Sequence, residues 1–299
     1  MLSKSLTLTS DNVTYDLEDS VTPYHKAAAR DQLRAHLTAL GSSRPPSISE
    51  VAIRINAVST ALAFEDLTAL ASLPVVDAVV VPKVNSPADL TFVADILRRV
   101  APERHVSGSS NPIKILALIE SAKAVMDLSA ICKSTSYLSG LIFAAEDFAL
   151  DLSLERTPHL TEFLYARSAI VTAARAAELP SAIDLVCTSY KGDAGLSRLE
   201  EECRGGKALG FNGKQCIHPT QVETAQSLFA PTDAEVQWAA RIAVADAKAS
   251  ARGRGAWTMD GKMIDAPVVG RAHSILSRAS MCGIDVSSLK TSWKDEEPE

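Results

Sequence analysis

Six carboxylates stand at the ends of short apolar runs in this chain: Asp16, Glu18 and Asp19 in YDLEDSV, Glu120 in ALIES, and Glu146 and Asp147 in AAEDF. Arg54 in IRIN, Lys83 in VPKV and His218 in CIHP occupy the same kind of place. Any one of the acids alone reads as a helix N-cap or half of a structural ion pair. The set reads differently, because several acids and a basic side chain at successive strand ends are hard to explain as independent caps. Acids gathered at one mouth repel unless something neutralises them. A hard divalent cation with oxygen ligands does so, and magnesium is the expected ion. Other chemistries lack their residues: no GxGxxG follows an apolar run and no GxSxG elbow is present, so neither dinucleotide binding nor a serine nucleophile is indicated.

These groups need a scaffold that brings strand ends together. Short β-branched runs begin at residues 12, 50, 77, 113, 138, 182 and 213, and they alternate with Ala/Leu-rich stretches at 24–40, 60–72, 87–100, 159–178 and 193–209. That order predicts a parallel sheet with helical crossovers. In a (β/α)8 barrel the C-terminal strand ends form the active face, which is where the acids fall. The runs give about seven strands where a closed barrel needs eight. The expected fold is therefore an α/β TIM-type barrel lacking its first strand, with a C-terminal helical extension. The barrel is expected over 1–218 and the extension over 219–290. The extension comprises helices near 219–229 and 232–251, a hairpin around Asp260 and Gly261, and a helix from about 267 to 281. The acidic end KDEEPE suggests a frayed tail over 291–299.

The chain has 299 residues, 46% hydrophobic and 22% charged, the composition of a soluble globular protein. A formal charge of -6 without a dense Lys/Arg block gives no basis for broad nucleic acid binding. No apolar run is long enough to span a bilayer, so no membrane partner is expected. The cysteines at 132, 187, 203, 216 and 282 form no CxxC pair or metal-site cluster, which makes a reducing, intracellular compartment the default and leaves the choice between mitochondrial and cytoplasmic open.

YDLEDSV, VAIRIN, VVVPKV, LALIES, FAAEDF and GKQCIHP, in that order, resemble the motifs of the HpcH/HpaI aldolase and citrate lyase beta family. The stretches AIDLVCTSYKGDAGLSRLEEECRGGKALGFNGKQCIHP and RGAWTMDGKMIDAPVV look closest to citrate lyase beta-like proteins that cleave citramalyl-CoA. The resemblance covers nearly the whole chain. It implies a carbon–carbon lyase that cleaves a 3-hydroxy-3-carboxyacyl-CoA, such as citramalyl-CoA, to acetyl-CoA and pyruvate. Glu120 and Asp147 would be the Mg2+ ligands, Arg54 would face the substrate, and Asp265 in GKMIDAP would be the acid/base. Ile217 and His218 would line the substrate, and Glu18 and Asp19 would hold metal-bound waters. Acyl-CoA and 2-oxo acids are the implied small-molecule partners, and the implied assembly is a homotrimer in which Asp265 completes a neighbour's site.

The sequence departs from the family at its start, where members carry a first strand with a Val-Pro-Gly-like turn and basic residues for CoA. A truncated gene and a paralogue with an open barrel both remain open. Other readings share much of the site: a malate-synthase-like condensation of acetyl-CoA with a 2-oxo acid, a pyruvate-dependent aldolase without CoA, and a truncated non-catalytic paralogue.

Overall fold

The computed structural model describes residues 2–41 and 43–299. The chain divides into two compact units, 1–225 and 226–299. The first unit therefore runs past the expected boundary at 218. Buried Gln221 explains part of this, since its side-chain amide donates to the Cys187 carbonyl at 2.9 Å and ties the segment after 218 to the unit that precedes it.

The first unit alternates strand and helix. In chain order its elements are α1 (Leu2–Ser5), β1 (Ser10–Asp16), α2 (Lys26–Leu40), β2 (Ile48–Arg54), α3 (Ala61–Leu70), β3 (Ala78–Val81) and α4 (Pro87–Val100). They continue with β4 (Lys114–Ile119), α5 (Ala122–Met126), α6 (Leu128–Cys132), β5 (Leu138–Phe143), α7 (Ala145–Leu152) and α8 (Leu164–Ala176). The last are β6 (Ser181–Asp184), α9 (Gly192–Leu209), β7 (Gly213–Lys214) and α10 (Val222–Phe229), which straddles the junction. The seven strands form one parallel sheet in sequential order, so each βα crossover returns beside the strand it left. Sheet edges fall at β1 and β7.

Strand interiors are apolar on both faces, as parallel strands covered by helices require. Ala52, Ala78, Val80, Leu116, Leu118 and Ile142 form one buried cluster, and the pairings Ala52–Ala78 and Val80–Leu116 place them on one side of the sheet. Their neighbours Val51, Ile53, Val79, Ile115 and Leu141 are fully buried on the alternate positions. Each large aliphatic removed from water in this way contributes about 1.5–3 kcal/mol. Local chemistry starts the helices where the pattern needs them. Pro87 opens α4, and the Asp89 carboxylate accepts the Ser86 backbone N–H at 2.8 Å.

The second unit contains α11 (Asp233–Ala251), a β8 (Trp257–Met259) and β9 (Lys262–Ile264) hairpin, α12 (Ala266–Met281) and α13 (Val286–Ser292). Ala239, Ala240, Ile242, Trp257, Ile264 and Leu276 lie in its core. Asp260 and Gly261 both take positive φ at the hairpin turn, as a tight two-residue connection demands. Residues 291–299 are held rather than frayed. Lys248 and Arg252 pair with Glu297 at 2.7 and 2.8 Å, Arg241 pairs with Glu296 at 2.7 Å, and Glu299 exchanges backbone hydrogen bonds with Thr258.

Candidate active site

The parallel register sets Asp16, the last residue of β1, opposite Arg54, the last residue of β2. The Arg54 Nε and Nη2 groups each donate to one oxygen of the Asp16 carboxylate, both at 2.6 Å. This two-point grip matches a planar guanidinium to a planar carboxylate. Asp16 also accepts the backbone N–H groups of Glu18 at 2.8 Å and Ser20 at 3.0 Å. Burial pushes its pKa up, but the hydrogen bonds from Arg54 and Ser20 outweigh this and bring it to about 2. The remaining nitrogen, Arg54 Nη1, faces Glu18 at 3.1 Å and Asp19 at 3.6 Å. Burial opposes the Arg54 charge, yet bonding to Asp16 and the surrounding acids leaves its pKa raised.

Lys83 connects this group to the next strand ends. It follows β3 in a left-handed backbone conformation, φ 51°, which costs a non-glycine residue about 1 kcal/mol or more and persists only where the surroundings hold it. Its backbone N–H donates to the Glu120 carboxylate. Its ammonium reaches Asp147 at 3.0 Å and Glu18 at 3.5 Å. Glu120 itself is buried at the end of β4. That burial, reinforced by the charge of Asp147 and resisted by the Lys83 N–H, raises its pKa to about 7. Burial likewise raises Glu18, with Arg54 pulling the other way. Glu18 Oε2 lies within ion-pair distance of Arg54 but lacks an aligned hydrogen bond, so this acid is incompletely compensated.

A cavity of about 260 Å3 opens on these groups, lined by Lys83, Asn85, Glu120, Ser121, Asp147 and Asp151 among others. Its donors for a cation are carboxylate oxygens, which suit a hard divalent ion. Among the described residues no three His, Cys, Asp or Glu side chains close a metal cage by themselves. An ion here would share two carboxylates and complete its shell with water and substrate, the habit of magnesium. The residues present thus fit that ion.

Arg54, Glu18, Asp19, Glu120 and Asp147 are thus joined through shared contacts. Glu146 goes elsewhere and pairs with Arg156. His218 caps the turn that follows it, taking the Thr220 N–H on Nδ1, and its ring stacks on Tyr190 at 4.9 Å. Ile217 beside it is exposed. In the second unit, Asp265 accepts the Val268 N–H at 3.3 Å as the N-cap of α12. Asp16 was among the strand-end acids, but its part as the main partner of Arg54 depends on strand register. Asn85, Ser121 and Asp151 carried no signal in the sequence.

The Asp16–Arg54 pair has a measurable signature. Because the folded pKa of Asp16 is about 2 against an ordinary 3.8, the pair stabilises the fold above pH 4 and that stability is lost as pH falls through 2. After discounting for solvent screening, the increment is on the order of 1–2 kcal/mol. Asp16→Asn should therefore flatten the stability profile between pH 4 and 2 in chemical denaturation. An unchanged profile would mean that the pair contributes nothing to the fold.

Residues 1–219 match the sequence profile of the HpcH/HpaI aldolase/citrate lyase family. The chain belongs to that family. With it the chain falls among the enzymes classed as carbon–carbon lyases. Human mitochondrial citramalyl-CoA lyase is 32% identical over 93% of this chain and 82% of its own. The citrate lyase beta subunit of Haemophilus influenzae is 35% identical over 93% of this chain and 92% of its own. The crystal structure of CitE from Mycobacterium tuberculosis, in complex with magnesium, acetoacetate and coenzyme A, is similar with a TM-score of 0.69. It is 30% identical and the match covers 90% of each chain. Among the described residues of this family member, no helix is long and apolar enough to cross a membrane.

Proposed function

We propose that this family member is a magnesium-dependent lyase that cleaves a 3-hydroxy-3-carboxyacyl-CoA such as citramalyl-CoA to acetyl-CoA and pyruvate. The observation that carries the reading is the convergence of Glu120 and Asp147 on one cavity, each in contact with Lys83, which also touches the Glu18 carboxylate beside Arg54. A seven-stranded parallel sheet in sequential order supports the reading as a TIM-type barrel, in which C-terminal strand ends carry catalysis. The magnesium and coenzyme A of the related CitE complex support the same ligand classes here.

In this reading Glu120 and Asp147 hold Mg2+, with Glu18 and Asp19 positioning its waters. When bound, the ion supplies positive charge that polarises the substrate's carboxylate and hydroxyl oxygens. Asp16 fixes the plane of Arg54 through Nε and Nη2, and the Nη1 edge, which faces Glu18 and Asp19, turns to a substrate oxygen and offsets developing negative charge when substrate takes the place of those acids. As a site water takes the hydroxyl proton and passes it to solvent, the O–H electron pair becomes the carbonyl of pyruvate and the carbon–carbon pair passes to a thioester enolate, while Asp265 enters the step carrying a proton from solvent. Asp265 protonates that enolate carbon, giving acetyl-CoA; in reverse the same carboxylate removes the proton and the enolate attacks the keto acid. Ile217 and His218 line the substrate. Asp265 acts across a subunit boundary in a homotrimer, each second unit completing the site of a neighbour.

The test is product analysis with citramalyl-CoA, malyl-CoA and free citramalate, each with Mg2+ or with EDTA. Acetyl-CoA and pyruvate should appear from citramalyl-CoA only when Mg2+ is present. Equal cleavage of free citramalate would instead identify an aldolase that needs no CoA. Release of citramalate and free CoA from citramalyl-CoA would instead identify the thioester hydrolysis of a condensing enzyme.

A further inference from the structure

Resting on the reading of Glu120 and Asp147 as metal ligands, we infer that Lys83 is the site's built-in counter-cation, whose ammonium holds the cation position and leaves it when the divalent ion arrives. The ammonium lies 3.0 Å from Asp147 and 3.5 Å from Glu18, and it lines the same cavity as Glu120 and Asp147. It is thus a single positive charge against three carboxylates from the ends of three different βα connections. Its backbone N–H is fixed on Glu120, so the main chain stays in place whatever the side chain does. That anchoring explains why a left-handed conformation, φ 51°, persists at a lysine that gains nothing from it locally.

Lysine also has the right chemistry for an exchangeable charge. Its ammonium is a compact, strongly hydrated point charge on a flexible stem, and here the side chain is 42% exposed, so a path to water exists. An arginine forked onto a carboxylate, as Arg54 is on Asp16, could not leave so readily. Without metal, Lys83 relieves the repulsion among Glu18, Glu120 and Asp147. With metal, the ammonium and the ion repel each other at close range, and the side chain swings toward solvent. Lys83 is therefore a positioning residue: its main chain orients one ligand and its side chain sets the affinity of the site.

Two measurements decide this. Magnesium affinity is measured by calorimetry for the wild type, Lys83→Met and Lys83→Asn, the last tolerating positive φ if Met disturbs the fold. Removing the competing charge should tighten binding about tenfold or more, given the strength of a charge–charge term at this range. In parallel, amine acetylation of Lys83 in the wild type is followed by mass spectrometry. Saturating Mg2+ should speed modification of Lys83 and leave surface lysines such as Lys133 unchanged. Unchanged or weaker binding in both variants, or labelling that Mg2+ does not accelerate, would overturn the inference while leaving the metal site intact. If neither wild type nor variants bind Mg2+, the metal reading itself fails and takes the inference with it.

Discussion

Replacing Glu120 by Gln should abolish magnesium-dependent cleavage and at the same time make the metal-free protein more stable at neutral and alkaline pH. The side chain is buried and its pKa is about 7, against an ordinary 4.5. The folded state therefore binds more protons than the unfolded state between those values, and stability falls as pH rises from 4.5 to 7. Above pH 7 the ionised form is fully present, and the penalty is on the order of 2–3 kcal/mol. Glutamine keeps an oxygen for the Lys83 N–H and removes the charge. Activity should fall roughly a thousandfold or more, because losing one anionic ligand removes several kcal/mol of charge stabilisation from the reaction. Thermal melts with EDTA at pH 5 and pH 8, beside rate measurements with Mg2+, check both halves. A variant that is less stable at pH 8 and still active would show that Glu120 is a structural acid.

Asp265→Asn should separate the observed N-cap role of this side chain from its proposed acid/base role. As the N-cap of α12 it accepts the Val268 N–H, and Asn caps nearly as well as Asp. Stability should stay within about 0.5 kcal/mol of the wild type. Loss of the acid/base should lower kcat by roughly 10^2 to 10^4. If Asp265 serves a neighbouring subunit, mixing inactive Asp265→Asn chains with inactive Glu120→Gln chains should restore part of the activity, since some sites then draw both intact residues from different chains. No recovery after verified subunit exchange would refute sharing, and full activity in Asp265→Asn alone would leave the residue as a cap.

The scaffold was legible where physics repeats itself. Buried parallel strands must be apolar on both faces, so runs such as EVAIRIN and IKILALIE announced β2 and β4 without help from their neighbours. Short helices did not announce themselves. Helices α5 and α6, of five residues each, are too brief to show a period. In LSGLIFAAED the run that begins at 138 has no sequence break before the acids, whereas β5 stops at Phe143 and α7 begins at Ala145. Asp147 therefore projects from the first turn of a helix, not from the strand.

The residues of the candidate site were visible as types, but their pairing was not. The resemblance sets Arg54 toward the substrate, and only register places Asp16 across from it. The significance of Lys83 lies in a backbone turn and in acids that follow β4 and open α7, none of which its own sequence neighbours show. Residues 291–299 looked too acidic to fold, yet Arg241, Lys248 and Arg252, more than forty positions earlier, supply the opposing charge. Such long-range partners leave no local signature.

In the proposed reaction these residues break a carbon–carbon bond in a CoA ester and protonate the carbon left behind. Cleavage of citramalyl-CoA in deuterium oxide, followed by NMR, tests it most directly. With Mg2+, pyruvate and acetyl-CoA carrying one solvent deuterium in the acetyl methyl group are expected, with both products absent in EDTA and in Glu120→Gln. Free citramalate and CoA as products, or cleavage that proceeds equally in EDTA, would contradict it.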